Sequence, residues 1–270
     1  MRGPTLVILL LGLCGTVPAQ TLHFNLADRA VVLERVANAP ATNEERRGRI
    51  RELFIQAGCS GPALMEQKGA DAETSNIICR LTGDSDETIV VGAAYGHGAS
   101  PAMDDWTAAT MLSCLYQSLA DRKRRHTLLF IAFASNGNVH AGSGFYAEHM
   151  SDHEVRRTEA VLNLNALGLS PTKVWTSQSN KDLLHSLVLV TYTLKLPLSQ
   201  VDMQAPATTA SAAFASRQIP QINVHSLTRE DVAGGHAAVL RPDNYLDTYR
   251  LLSGYLAYLD ATLKPRTQVK

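Results

Sequence analysis

The sequence predicts a single α/β domain, a three-layer αβα sandwich in which a mixed, mostly parallel central sheet lies between helices. Three observations predict it. Runs such as Ile89-Val90-Val91 are too continuously apolar for a strand with one wet face, as expected where both faces of a parallel sheet are covered. Such runs alternate along the chain with segments of helical apolar periodicity. At 270 residues the chain is long enough to bury one large core, so a single domain is the first expectation.

The amino terminus reads as an export signal over 1–19. Arg2 supplies positive charge, residues 6–13 an apolar stretch, and Val17-Pro18-Ala19 a small-residue exit ahead of Gln20. The apolar stretch is well short of the roughly 20 residues that span a bilayer. Bulky Leu13 before Cys14 departs from a lipoprotein signal. The expected mature domain is therefore 20–270, in the periplasm or secreted.

Thr42 and Glu45 form a capping box, and Ile50, Leu53, Phe54 and Ala57 follow at helical spacing toward Gly58. Residues 63–68 and 76–82 read as a hairpin around a turn at 69–74, and 87–94 as a central strand. Ala108, Met111, Leu112, Leu115 and Leu119 mark an amphipathic helix over 105–121, with Arg122-Lys123-Arg124-Arg125 at its carboxyl end, where cations suit the helix dipole. Strands follow at 127–133, 160–164, 173–176 and 219–224. Between them the pattern gives a short helix near 143–149, a longer one over 181–194 and a helical turn around 211–217. Tyr245, Tyr249, Leu252, Leu256, Leu259 and Leu263 place an apolar seam on a long closing helix.

Composition excludes some partners. Twenty-five basic residues balance 25 acidic ones at a pI near 7.1, so there is no electrostatic case for nucleic acid or an anionic membrane. Beyond Cys14 the cysteines are Cys59, Cys79 and Cys114, an odd number that allows one bridge and one buried thiol. Cys59 and Cys79 flank the expected hairpin and are expected to bridge across two strands, with Cys114 on an apolar helix face. None of their spacings suits a cysteine zinc site. His126, His149, His153 and His185 fall in charged or amphipathic contexts and read as surface residues.

Ligands of open α/β sheets bind outside the carboxyl ends of the strands, so the residues just past each strand carry the functional information. Four segments matter: TIVVGAAYG at 88–96, AMDDWTAA at 102–109, FASNGNVHAGS at 133–143 and LNLNALG at 162–168. In this order they resemble the zinc aminopeptidases of the bacterial leucyl aminopeptidase type, the group that includes glutaminyl cyclases, over residues 42–259. The resemblance implies a di-zinc exopeptidase fold, in which two zinc ions polarise the scissile carbonyl and activate water while a glutamate acts as general base.

Most of the side chains that this chemistry needs are replaced. Ala94 stands at the first His position, and Gly96 where an aspartate orients that ligand. Asp105 keeps the bridging aspartate, with Trp106 as its neighbour. Asn136 occupies the general-base position and Gly137 the adjacent ligand position; neither can do that work. Asn165 replaces the next aspartate, and a neutral amide is a poor zinc ligand. His236 matches the last His after Gln218-Ile219-Pro220, but Leu240 stands where an aspartate would follow. One carboxylate and one imidazole neither neutralise two divalent ions nor fill their coordination shells, so no cofactor is expected.

The expectation is a catalytically inactive pseudoenzyme whose cleft binds a peptide or small ligand. Tyr95 and Trp106 would border that cleft; alternatively Trp106 fills the volume vacated by the metals. The competing reading is an active zinc exopeptidase whose ligands are relocated among His97, Asp104, Asp105, His140 and His236. Gly142-Ser143-Gly144 does not follow its strand directly, as a serine-hydrolase elbow should.

Overall fold

A computed structural model describes residues 24–69, 75–96, 106–135, 141–201, 210–232 and 239–265. Two amino-terminal helices, α1 (Arg29–Val36) and α2 (Asn43–Gln56), precede a hairpin of β1 (Leu64–Gln67) and β2 (Asn76–Leu81). There follow β3 (Thr88–Ala94), α3 (Trp106–Ala120), β4 (Thr127–Phe133), α4 (Ala141–His149), α5 (Asp152–Arg157) and β5 (Thr158–Asn165). The remainder is β6 (Lys173–Trp175), α6 (Lys181–Leu194), β7 (Ser199–Val201), α7 (Ala210–Ser216), β8 (Gln221–His225), α8 (Arg229–Val232) and α9 (Pro242–Thr262).

The strands form one eight-stranded sheet in the order β1-β2-β4-β3-β5-β8-β6-β7. Its centre, β4-β3-β5-β8, is parallel throughout, whereas β2 runs antiparallel to β4 and β6 antiparallel to β8. The mixed, mostly parallel sheet read from the sequence is therefore present, with β3 in its middle. Continuous burial explains its apolar run: Ile89, Val90 and Val91 on successive faces are all fully buried.

Each face is covered by helices. Ile89, Val91 and Leu162 pack with Val32 of α1, Leu53 of α2, Met111 of α3, Leu187 of α6 and Tyr249 of α9. Val90, Ile131 and Val161 point the other way, onto Ala147 of α4 and Phe214 of α7. The seam on α9 is fully used: Tyr245, Tyr249, Leu252, Leu256 and Leu259 are at most 1% exposed, each contributing roughly 1.5–3 kcal/mol by burial. The capping box predicted at Thr42 is formed in both directions. Among the described residues no helix is long and apolar enough to cross a membrane.

Two expectations need correcting. Cys59 and Cys79 are bonded, but not across two strands: β1 pairs Leu64 with Cys79, and Cys59 lies before the hairpin, just after α2. The bridge ties the end of that helix to β2. His126 is not a surface residue. It is fully buried at the start of β4, where its main-chain N–H (2.8 Å) and the Arg122 guanidinium (3.0 Å) hydrogen-bond the Asp260 carboxylate of α9. Burial alone would raise the Asp260 pKa, but these hydrogen bonds, with the nearby Arg122 charge, hold it below the usual carboxylate range. Cys114 is buried and free, as expected.

Candidate functional site at the carboxyl edge of the sheet

Because β4, β3, β5 and β8 are parallel, their last residues, Phe133, Ala94, Asn165 and His225, line one edge of the sheet, where α/β folds take their ligands. The amino end of α2 is fastened to this edge. Asn43 donates from Nδ2 to the carbonyl of Ser135 (3.2 Å), just beyond β4. Arg46, only 1% exposed, donates to the carbonyls of Tyr95 (3.3 Å) and Gly96 (3.2 Å), just beyond β3, and to Pro40 (3.0 Å). Its guanidinium carbon also stands 5.6 Å from the centre of the Trp106 ring.

Trp106 and Tyr95 are both buried here, 3% and 1% exposed. The Trp106 indole donates to the carbonyl of Val36 in α1 (3.0 Å), and the Tyr95 hydroxyl donates to the carbonyl of Ser75 (2.9 Å). Burial pushes the Tyr95 phenol up to about 12. Their ring surfaces are spent on packing between the sheet and the amino-terminal helices. Gly96 is equally constrained: a Cβ there would fall onto the carbonyl and hydroxyl oxygens of Ser135, so the aspartate of the family pattern has no room.

Gly142 is required by a different contact. A Cβ would strike Asn76 and the main chain of Ala134, because α4 begins hard against both. Asn76 clamps this junction, donating to the Gly142 carbonyl (2.9 Å) and accepting from the Ala134 N–H (3.0 Å). Ser143 lies within α4 and is 1% exposed, so it is not the exposed nucleophile that an elbow presents.

On the side of the sheet covered by α7, β5 and β8 carry paired polar residues: Asn163 beside Asn223, and Asn165 beside His225. Lys173 of β6 is paired with His225 from the other side, and the Trp175 ring stacks on the His225 ring, with centroids 4.1 Å apart and an angle of 18°. Asn163 donates to the Gln221 side chain (3.0 Å) and Asn223 to the Gln178 carbonyl (2.5 Å). His225 is fully buried, and its Nδ1 accepts from the Leu227 N–H (3.1 Å). Burial, reinforced by the Lys173 charge, drives its pKa down to about 3. The ring is therefore neutral at ordinary pH, and its proton sits on Nε2.

Two of the positions at which the family resemblance places zinc ligands, Ala94 and Asn165, fall within the described residues. Among the described residues no three or more His, Cys, Asp or Glu side chains gather closely enough to hold a metal ion. Ala94 and Asn165 bring a methyl group and an amide to two family ligand positions, and Leu240 packs against the main core. A zinc-bound histidine offers one bare ring nitrogen and donates from the other. His225 is arranged the opposite way, with Nδ1 accepting and Nε2 protonated. Asp105, His236, Asn136 and Gly137 lie outside the described residues, as do His97, Asp104 and His140.

Solved structures carry the comparison further. LapA aminopeptidase of Legionella pneumophila superposes with a TM-score of 0.67 at 12% identity, over 87% of this chain and 71% of that one. The fold is that of the zinc aminopeptidases and glutaminyl cyclases. A glutaminyl cyclase of Fimbriiglobus ruber matches with a TM-score of 0.68 at 14% identity, covering 88% of this chain and 97% of its own. The zinc aminopeptidase of Bacillus subtilis matches at 0.59 and 17% identity over 72% of this chain. This chain spans about half (51%) of that enzyme's length. No protein-family model matches the sequence, and no curated protein is significantly similar to it in sequence.

Sequence reasoning pointed to the carboxyl edge of the sheet but did not single out the residues that line its described part. Arg46 and Asn43 look like ordinary helix-surface residues in a charged segment. Asn163, Asn165, Asn223 and His225 did leave a signal: N-x-N and N-x-H at the ends of two strands buried on both faces, where apolar residues are the norm.

Proposed function

We propose that the protein is a secreted or periplasmic, catalytically silent relative of the zinc exopeptidases that binds a peptide or small molecule at the carboxyl edge of its sheet. One observation carries the reading: the described end of β5 presents the neutral Asn165 amide where the family resemblance calls for a carboxylate. The Gly96–Ser135 contact, which closes the space for an orienting carboxylate, supports it. The export-signal pattern over 1–19 supports the location, and the balanced charge leaves no attraction to nucleic acid or an anionic membrane.

Metal analysis of the purified mature protein, paired with hydrolysis of aminoacyl chromogenic substrates, tests this reading. Substoichiometric zinc and no chelator-sensitive turnover are expected. Near-stoichiometric zinc with turnover that a chelator removes, and that Asp105→Ala abolishes, would establish instead an active exopeptidase with relocated ligands.

A further inference from the structure

At the ends of β5, β8 and β6 unpaired donors gather at the sheet edge, while the unpaired acceptors of the same face, Asn163 Oδ1 and Asn223 Oδ1, lie one pleat further in. Three nitrogen donors, Asn165 Nδ2, His225 Nε2 and Trp175 Nε1, are buried without a hydrogen-bond partner. His225 and Trp175 are themselves 0% and 1% exposed. The Leu227 N–H occupies Nδ1 and so leaves the ring proton on Nε2, while an indole nitrogen can only donate. Lys173 adds an ammonium beside His225, resting on the Ser170 hydroxyl, which in turn donates to the Ser226 carbonyl (2.6 Å). Among the described residues the carboxylate acting on Lys173 is Asp231, already engaged by the N–H (2.7 Å) and hydroxyl (2.8 Å) of Thr228.

Buried N–H groups left unpaired are costly, and three around one stacked pair call for an acceptor. A cation at the outer end of the cluster would be repelled by Lys173 and would face the three N–H groups before any lone pair. Phosphate groups are generally held by arginine forks or several cations, whereas this cluster offers one ammonium and planar N–H donors. We propose that Asn165, His225, Trp175 and Lys173 form a binding site for the carboxylate group of a small monoanionic ligand. Asn165 stands where the family resemblance places a metal-binding carboxylate, and this inference rests on the reading of the protein as a binding relative of zinc enzymes.

The two tryptophans of the sequence make a direct test. In the full mature chain labelled with nitrogen-15, the Trp175 indole N–H reports the site. The Trp106 indole, bonded to Val36, is the internal control. Sodium acetate should move the Trp175 signal saturably, with a dissociation constant on the order of millimolar, and leave Trp106 in place. Sodium chloride at equal ionic strength and acetamide should not reproduce the shift. Lys173→Met, at a partly exposed position, should weaken acetate binding about tenfold. His225→Phe should abolish it, and dispersion of both indole signals verifies that each variant folds.

No saturable shift, an equal response to chloride, or unchanged affinity in Lys173→Met would mean that the donors are met by internal water, and would overturn the proposal. Parallel addition of zinc chloride separates the two readings. Stoichiometric zinc binding overturns the silent-relative reading and this one with it, whereas binding of neither acetate nor zinc overturns this one alone.

Discussion

Acidification should destabilise the fold through His225 in a way that one substitution can isolate. The imidazole titrates near 6.5 when exposed and near 3 in the folded protein, because it is fully buried and close to Lys173. A folded pKa below the unfolded one means that protons bind the unfolded chain more tightly. The stabilisation is therefore complete above the unfolded value and declines as the pH falls from there toward 3. Between about pH 8 and about pH 5 the unfolded ring gains nearly a full proton and the folded ring almost none, a difference of about 2 kcal/mol. His225→Gln removes that titration. Urea unfolding of the mature protein and the variant at both pH values gives four stabilities. The mature protein should lose about 2 kcal/mol more on acidification than the variant does. If both lose the same amount, His225 is either not buried or not neutral, and the donor assignment of its Nε2 falls.

Three further outcomes follow from the packing. Trp106→Phe should cost about 1–3 kcal/mol in urea unfolding, since the indole is 3% exposed and bonded to Val36; an unchanged stability would contradict its role as packing. The bridge between Cys59 and Cys79, with a sequence separation of 20, should contribute about 3 kcal/mol by restricting the unfolded chain. Accordingly, a chain of residues 20–270, denatured and unreduced, should expose one thiol, Cys114, and three reactive thiols would refute the pairing. Asp260→Asn should cost about 1.5–3 kcal/mol at neutral pH, because the carboxylate accepts from His126 and Arg122. The Asp260 pKa is depressed by folding, so its contribution persists above about pH 4 and fades below it. The variant should show a shallower loss of stability in that acid range.

The fold was legible because its strongest signals are collective. The continuous apolar run of β3, the periodic seam of α9 and the capping box at Thr42 each fix an element without reference to the rest of the chain. Short elements with weak periodicity escaped: three-residue β7 has no pattern to detect, and α1 is recognisable mainly from its packing on α3. The bridge partners were also legible, though not the geometry: Cys59 falls ahead of the expected 63–68 strand, and only the fold shows it tying the end of α2 to β2. At the site, Ala94 and Asn165 stand out in the sequence only by analogy with the family pattern. Arg46 does not stand out at all, because it acquires meaning only when α2 is laid across the exits of β3 and β4. His225 and Lys173 are far apart in sequence, and only the antiparallel register of β6 and β8 brings them together.

The sheet's outermost strands bear on how the protein behaves in company. β1 is four residues long and β7 three, and among the described residues they are the outermost strands of the sheet. So short a margin offers an incoming chain very few unsatisfied main-chain groups, and exposed Glu66 on one side and exposed Pro197 just ahead of the other discourage extension further. Despite a broad, deeply apolar interior, the described sheet presents little template for strand-by-strand accretion.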